Sequence, residues 1–457
     1  MYIGFSRSRR RANLFAATAS SIALFTAGAS TARADAPIEI VPELSQRIVS
    51  ASGSTRIYLR IGIKVARLER ASRRAPLNLA LVIDRSGSMQ GARIEGARQA
   101  AMMAVDRLSS HDIVSIVSYD DKIGIEVPAT RVGTEWRIKD RIRALTPRGS
   151  TAIHAGVMAG LGEVRKFQSK GYINRIILLS DGLANVGPRT PEHFASLGRE
   201  IAGEGVTVST IGLGLGYNED LMSRLAINAD GTHVFVQEPA DLTAFLSREI
   251  DDVQSIFAQH VDVTIEFDEG VRPLRGLGRA ATIDGNRLSW KVGQLVGGSE
   301  QVLLAEIEAP AGLTAAEHQI ANVRVEYDEA ATGKRQSHVR PVALRASDDG
   351  NAIQTSFSAS VMRDATILDT RERKDAAIRL RDAGKYDEAR KAFTENARQI
   401  SEQAAKYGFT VEGLLRDEQE ANQMAASPAV SSHEAWNKQR KIMRGHDANQ
   451  SGASVKY

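Results

Sequence analysis

Residues 76–252 alternate apolar, strand-like runs with helix-like stretches. The first run, LNLALVID (77–84), is almost continuously apolar, as in a parallel strand that is covered on both faces. The later runs are DIVSIVSYD (112–120), KIGIEV (122–127), RIILLSDG (175–182), VTVSTIGLG (206–214) and THVFVQE (232–238). Strands and helices that alternate over such a length predict an α/β domain with a doubly wound, mostly parallel sheet.

The regions on either side of this domain have a different pattern. RIYLRIGIKVARL (56–68), within an amino-terminal region at 35–75, alternates apolar and polar residues as a half-buried strand does. The alternation returns over 253–346, where turn residues such as DGN (284–286) separate the runs and indicate antiparallel sheet. A lone strand at 56–68 would leave backbone groups unpaired. We therefore expect it to join the later strands in one β-sandwich, with the α/β domain inserted between them.

Residues 351–425 are rich in Ala, Arg, Glu and Gln, which predicts helix. Within them, AGKYDEARKAFTENA (383–397) is similar to the second half of a tetratricopeptide repeat. The preceding helix fits that repeat poorly and no second copy is present, whereas a stable solenoid needs about three repeats. We therefore expect an isolated helical hairpin that packs on the sheet or on a partner. The polar end of the chain, 426–457, is predicted to be disordered.

Residues 1–34 have the composition of a secretory signal peptide. A basic stretch, SRSRRR (6–11), precedes an apolar, small-residue stretch at 13–30, and ARA (32–34) offers small residues at the positions that determine cleavage. We expect cleavage after Ala34 and a periplasmic or secreted protein. Two alternatives stay open, namely export by the twin-arginine route and retention of the segment as a membrane anchor.

Charge and cysteine content exclude some classes of function. The 457 residues carry a net charge of +4, but the five arginines of 1–34 reduce this to −1 once they are removed. The basic balance therefore does not support nucleic-acid binding. No later run of 18 apolar residues is present, so we expect a soluble mature chain, with association with the cell envelope left open. The absence of cysteine excludes disulfides and thiolate metal sites.

Oxygen-bearing side chains follow the first apolar run. DRSGSM (84–89) places Asp84, Ser86 and Ser88 at alternate positions, which is more oxygen than a turn needs and a set that a hard metal ion would use. Asp84 and Asp181 both lie at the carboxyl ends of predicted strands, where open α/β sheets bind ligands. Taken alone, DRSGS also fits a polar strand-to-helix turn with a serine N-cap.

These residues, with a later threonine in RGST (148–151) and a later aspartate in LLSDG (178–182), resemble the von Willebrand factor type A family. The five positions that match that family's metal-ion-dependent adhesion site are Asp84, Ser86, Ser88, Thr151 and Asp181. TIGLGLGYNEDLMSRLA (210–226) and GTHVFV (231–236) resemble the later part of the fold in bacterial members of the calcium-activated-chloride-channel-like type. The resemblance covers about 76–252.

The resemblance implies a role for each matched residue. In the family, Ser86 and Ser88 bind the ion directly, Thr151 and Asp181 alternate between direct and water-mediated binding, and an acidic side chain of a partner protein takes the open position. The donor chemistry agrees, because two carboxylates and three hydroxyls suit Mg²⁺, or Mn²⁺ or Ca²⁺, better than Zn²⁺ or Cu²⁺. We expect the side chain of Asp84 to face solvent and the ion rather than the core.

Other motifs do not support a different chemistry. GLGLG (212–216) lacks dinucleotide-loop spacing and the P-loop lysine, and is interpreted as a glycine-rich strand exit. HEAWN (433–437) is one residue short of a zinc-protease motif and is interpreted as tail. The Gly-x-Ser-x-Gly motif that positions a nucleophilic serine is absent, so the sequence does not support serine-nucleophile catalysis. We assign no catalytic residues and do not expect an enzyme.

The sequence therefore predicts an exported, non-enzymatic binding module, of the adhesion or scaffold kind, that holds an acidic partner through a divalent cation. The alternative is a recruiting subunit or domain of a hydrolase or of a metal-driven envelope machine. The first interpretation is favoured because no general base is recognisable outside the metal site.

Overall fold

The computed structural model describes residues 37–67, 74–133, 135–168, 171–409, 436, 438, 440 and 441, and a strand at 454–456. The predicted signal peptide, 1–34, lies outside the described residues. The strands in chain order are β1 (Ile38–Leu44), β2 (Ile48–Ser50), β3 (Thr55–Val65), β4 (Leu77–Asp84), β5 (Ile113–Tyr119), β6 (Ile123–Arg131), β7 (Ile173–Ser180), β8 (Val206–Leu213), β9 (His233–Val236), β10 (Ile256–Phe267), β11 (Arg272–Leu277), β12 (Thr282–Asp284), β13 (Arg287–Val296), β14 (Ser299–Ala309), β15 (His318–Glu329), β16 (Arg335–Ser347) and β17 (Ser454–Lys456).

The helices are α1 (Ala92–Asp106), α2 (Glu135–Arg143), α3 (Ile153–Arg165), α4 (Pro191–Gly203), α5 (Glu219–Asn228), α6 (Leu242–Gln254), α7 (Gly350–Thr355), α8 (Ala359–Asp382) and α9 (Tyr386–Tyr407). Short 3₁₀ turns lie at Gly87–Met89 and Pro239–Asp241. None of the helices in the described part of the chain combines the length and the apolarity that a membrane span requires.

One six-stranded sheet has the order β6-β5-β4-β7-β8-β9. Its strands are parallel except for β6, which runs antiparallel to β5. Alternate side chains of β4 enter two separate apolar cores, one beneath α1, α2 and α6 and the other beneath α3, α4 and α5. This is the doubly wound α/β fold that the sequence predicts. Strand order reverses between β4 and β7, so a crevice opens at the carboxyl ends of these two strands.

The flanking strands form two further sheets, with the orders β1-β3-β14-β11 and β12-β13-β10-β15-β16-β2. They enclose one apolar core, which includes Leu59 and Ile61 of β3, Val263 of β10 and Val323 of β15. Strand β3 pairs with β14 from Thr55, opposite Ala309, to Lys64, opposite Glu300. Strand β3, like β1 and β2, therefore precedes the α/β domain but belongs to a sandwich whose remaining strands follow that domain.

Helices α8 and α9 pack against each other as a hairpin and share a small apolar cluster that includes Ile378 and Phe393. The other side of α8 packs on the first sheet of the sandwich through Val361 and Leu368, which share a buried apolar cluster with Leu304 of β14. Polar contacts reinforce this junction, since Arg60 of β3 donates to Asp364 of α8 over 2.7 Å. A hairpin that packs on a sheet is what the partial repeat at 383–397 predicts.

The prediction of a disordered tail at 426–457 is wrong for the residues that are described there. Trp436, Lys438, Arg440 and Lys441 are helical, and β17 pairs with the first residues of β14. Trp436 is buried against the hairpin, where its indole Nε1 donates to Asp382 over 3.0 Å. The polar composition of the segment concealed these contacts, because the partners lie far away along the chain.

The same segment also reaches the α/β domain. Lys441 Nζ lies 2.6 Å from Glu219 Oε2 and donates to the backbone oxygen of Tyr217 over 2.8 Å. Arg440 pairs with Glu219 over 2.5 Å and with Asp382 of α8 over 2.9 Å. We refer to Trp436, Arg440 and Lys441 as the carboxyl-terminal clasp. The clasp links the helical hairpin to the amino-terminal end of α5.

Candidate metal centre

The five predicted metal ligands come from three loops at one edge of the α/β sheet. Asp84 ends β4, and Asp181 directly follows the adjacent parallel strand β7. Ser86 and Ser88 lie in the turn between β4 and α1, and Thr151 lies just before α3. The chain therefore brings all five residues to the crevice where strand order reverses.

Measured contacts show how closely the oxygens approach one another. Ser86 Oγ and Ser88 Oγ are 3.0 Å apart, and Ser88 Oγ donates to Asp181 Oδ1 over 2.7 Å. A Cβ atom placed on Gly182 would lie 3.2 Å from Thr151 Oγ1 and 3.3 Å from Ser88 Oγ. The glycine thus leaves open a small space that is bordered by two hydroxyl groups.

Asp84 is completely buried, contrary to the expectation that its side chain faces solvent. Its Oδ1 accepts from the backbone N–H of Ser86 and its Oδ2 from the hydroxyl of Ser180, both over 2.7 Å. Burial raises the pKa of Asp84 to about 6. The negative charge of Asp181 also raises this pKa, whereas the two hydrogen bonds lower it. Among the described residues, no cationic side chain pairs with Asp84. Its negative charge is therefore balanced only by dipoles, which is costly inside a protein.

Asp181 is equally buried but has a cationic partner. Arg93, in the first turn of α1, donates through Nη1 to Asp181 Oδ2 over 2.7 Å and to the backbone oxygen of Ser88 over 3.1 Å. The other oxygen of Asp181 accepts from Ser88. The two aspartates therefore differ electrostatically, because the charge of Asp181 is compensated and that of Asp84 is not.

Further hydrogen bonds fix the loops that carry the hydroxyls. Asp120, after β5, interacts with Arg85 over 2.9 Å and accepts from Arg148 over 3.0 Å. Its backbone oxygen accepts from Ala152 N over 2.9 Å. Asn185 accepts from the backbone N–H of Thr151 over 2.7 Å. The position of Thr151 is thus set by contacts on both sides of the crevice.

Sequence reasoning missed three residues that matter here, Ser180, Arg93 and Asn185. Ser180 is next in register to Asp84, since Leu179 pairs with Ile83, but that register is not readable from the sequence. Arg93 follows the serine motif by one helical turn, which is a signal that becomes useful only once the start of α1 is known. Asn185 shows no pattern that would have singled it out.

The residues present fit a hard divalent cation. All the converging donors are oxygens, and the buried carboxylate of Asp84 lacks a positive charge that an ion would supply. Within the described ranges, no three His, Asp or Glu side chains cluster as a conventional metal site. The mixture of two carboxylates with serine and threonine hydroxyls is therefore the arrangement in this part of the chain that suits an ion.

A doubly wound α/β domain with an oxygen-lined crevice at its switch point belongs to the class of domains that bind ligands at the carboxyl edge of the sheet. The family model of the von Willebrand factor type A domain matches residues 78–248, and the chain therefore contains a type A domain. Type A domains are typically protein-interaction or adhesion modules, are mostly non-enzymatic and commonly bind a divalent metal at the adhesion site.

Similar proteins include bacterial ones. The uncharacterized protein sll0103 of Synechocystis is 26% identical over 363 residues, which are 74% of this chain and 85% of that protein. YfbK of Escherichia coli is 32% identical over 42% of this chain, but the match spans only 34% of YfbK. The solved structure of a von Willebrand factor type A protein from Catenulispora acidiphila superposes with a TM-score of 0.69 at 14% identity, covering 89% of this chain and 96% of that one. At that identity, the likeness supports the fold alone.

Proposed function

We propose that this protein is an exported, metal-dependent binding module that holds an acidic side chain of a partner protein through a divalent cation. The observation that carries the proposal is the complete burial of the Asp84 carboxylate among hydrogen-bond donors, with no cationic side chain beside it in the described structure. A cation in the adjoining crevice would balance this charge. Mg²⁺ fits the oxygen donors, as do Mn²⁺ and Ca²⁺.

Each ligand has a distinct part in this proposal. Ser86 and Ser88 supply neutral hydroxyls, Thr151 borders the space beside Gly182, and Asp84 and Asp181 supply charge. Because Arg93 already compensates Asp181, an ion in the crevice would keep net positive charge. When bound, the ion supplies an electrophilic position for a carboxylate from another protein. This is binding chemistry. We also propose that the chain belongs to the bacterial calcium-activated-chloride-channel-like group of type A proteins, which the resemblance of 210–226 and 231–236 supports.

The proposal is tested first with the ion alone. Titration calorimetry of the chelator-treated mature protein should show one Mg²⁺ or Mn²⁺ site, and Asp84→Ala should abolish it. The matched control is Asp140→Ala, which removes an exposed aspartate on α2 that pairs with Arg143. Equal ion binding by wild type and Asp84→Ala would overturn the site.

The partner is tested by capture from an envelope extract on immobilised protein. A specific partner should bind with Mg²⁺, elute with chelator and be lost on the Asp84→Ala protein. Binding that is insensitive to both chelator and Asp84→Ala would contradict a metal-mediated contact.

The export part of the proposal is tested by mass spectrometry of the protein from cells. The amino-terminal residue should be Asp35, and an intact Met1 would refute cleavage.

A further inference from the structure

Arg93 occupies the rim of the candidate metal centre. Its Nη1 makes both of its hydrogen bonds to the site, one to Asp181 Oδ2 and one to the backbone oxygen of Ser88. The other carboxylate oxygen of Asp181, Oδ1, accepts instead from the hydroxyl of Ser88, which is one of the proposed ion ligands. The side chain of Arg93 is 39% exposed, so an incoming ligand can reach it.

The guanidinium of Arg93 has further N–H donors that are available to a ligand. An arginine carries five N–H donors in one plane, and within the described part of the chain only Nη1 of Arg93 forms hydrogen bonds. Its Nη2 lies 3.5 Å from the position that a Cβ atom on Gly214 would take. Gly214 has φ +71°, a backbone conformation that favours glycine, and the missing side chain leaves room beside the guanidinium.

We propose that Arg93 is a specificity-determining residue that binds the second oxygen of the partner's carboxylate, while the ion binds the first. This inference rests on the proposed function, and it makes the ligand a carboxylate rather than a hydroxyl or an amide. A planar arginine fork matches a carboxylate through charge-assisted hydrogen bonds, which neither neutral group provides. Asp181 holds the guanidinium in place from the protein side.

The charge of Arg93 should act on the ion and on the ligand in opposite directions. A positive charge at the rim opposes binding of a cation in the crevice and favours binding of an anion. Its removal should therefore tighten ion binding and weaken carboxylate binding. A residue that only maintained the shape of the loop would weaken both.

The experiment uses Tb³⁺ as a luminescent hard cation and acetate as the carboxylate, with the mature protein in a carboxylate-free buffer. Ion affinity comes from a Tb³⁺ titration. Acetate binding comes from the number of water molecules on the bound Tb³⁺, obtained from luminescence lifetimes in H₂O and D₂O. We expect Arg93→Gln to bind Tb³⁺ more tightly by a few fold and acetate about tenfold more weakly, as loss of one charge-assisted hydrogen bond implies. The acetate affinity of Arg93→Lys should lie between those of wild type and Arg93→Gln, because lysine keeps the positive charge but lacks the planar guanidinium.

The control is Arg107→Gln at the other end of α1. Arg107 is 40% exposed and also pairs with one aspartate, Asp251, so it matches Arg93 in exposure and in partner type. It should leave both titrations unchanged. Tighter Tb³⁺ binding by Arg93→Gln with unaltered acetate affinity would show that Arg93 merely competes with the ion, and loss of Tb³⁺ binding would show a structural role. Either result overturns this inference alone, whereas absence of Tb³⁺ binding by wild type overturns the proposed function as well.

Discussion

The hydroxyl of Ser180 donates to Asp84 Oδ2 over 2.7 Å, and this bond joins the ends of two adjacent strands, β4 and β7. Both residues are completely buried. Hydrogen bonds of this kind offset part of the cost of a buried negative charge, but they do not neutralise it. The ion-free domain therefore contains a destabilising charge at the point where the proposed ion would bind.

Replacing that charge should stabilise the ion-free protein. Asp84 has a pKa of about 6 in the folded chain against an ordinary 3.8, so at pH 7 its ionised form favours unfolding. Asp84→Asn keeps the shape of the side chain, and we expect it to raise the free energy of unfolding in chelator by about 1–2 kcal/mol. Wild type should gain about 2.7 kcal/mol at an Mg²⁺ concentration one hundred times the Kd, and the variant should gain nothing. Urea unfolding with and without Mg²⁺ measures both, and a variant that still responds to Mg²⁺ would refute the assignment.

Thr151→Ala should affect the partner more than the ion. The hydroxyl borders the space beside Gly182, while the backbone N–H of Thr151 is held by Asn185 in either variant. We expect ion affinity to fall by less than about threefold and partner capture by more than about tenfold, because one neutral ligand contributes little on its own. Thr151→Ser restores a hydroxyl and should recover capture. Equal losses of ion and partner binding would contradict the role given to this threonine.

The stability of the domain should fall on mild acidification because of His233. This side chain is completely buried, with Nδ1 2.8 Å from Thr210 Oγ1 and Nε2 3.2 Å from the hydroxyl of Tyr217. Burial lowers its pKa to about 4, against an ordinary 6.5. As the pH falls below 6.5 the unfolded chain binds the proton first, so stability decreases until about pH 4.

Urea unfolding at pH 7.5 and pH 5.0 tests this dependence. The free energy of unfolding should be lower at pH 5.0 than at pH 7.5, and His233 should account for about 2 kcal/mol of this difference because of its lowered pKa. His233→Gln should remove that share, whereas His111→Gln, at an exposed position, should keep it. An unchanged pH dependence in His233→Gln would show that other groups cause it.

Loss of the carboxyl-terminal clasp should weaken the link between hairpin and α/β domain. Lys441→Met leaves the buried carboxylate of Glu219 with Arg440 as its remaining cation. Removing one partner of a buried ion pair is costly, and we expect a loss of about 2–3 kcal/mol. The exposed Lys438 on the same helical segment provides the control, since Lys438→Met should change stability by less than about 0.5 kcal/mol. Recovery in the double variant Lys441→Met/Glu219→Gln would identify the pair as the cause, and purely additive losses would argue against it.

Much of the fold was predictable from hydrophobic periodicity. The run at 77–84 coincides with β4, because a central strand covered on both faces is almost continuously apolar. Alternation at 56–68 likewise corresponds to β3, which pairs with β14. Short strands with less contrast, such as β2 at Ile48–Ser50, were not distinguished within the predicted region at 35–75.

The site was predictable only in part. Strand ends indicated where Asp84 and Asp181 would meet, and the structure places them with Ser86, Ser88 and Thr151 at one crevice. Metal binding itself stays a prediction. The burial of Asp84 and the contact of Arg93 with Asp181 could not be predicted, because both depend on how a helix and a neighbouring strand are positioned, which local sequence does not encode.

The pairing of β3 with β14 has a consequence for how the protein is made. Lys64 is synthesised before the whole type A domain and its partner Glu300 after it, so β3 cannot pair with β14 until the domain between them has been made. The type A sheet, by contrast, is built from one continuous stretch and can form while the chain is still growing. During that interval, the edge of β3 that later pairs with β14 is exposed, and strands of other chains could pair with it. Biogenesis of this protein therefore has a vulnerable period that ends only when the last strands of the sandwich arrive.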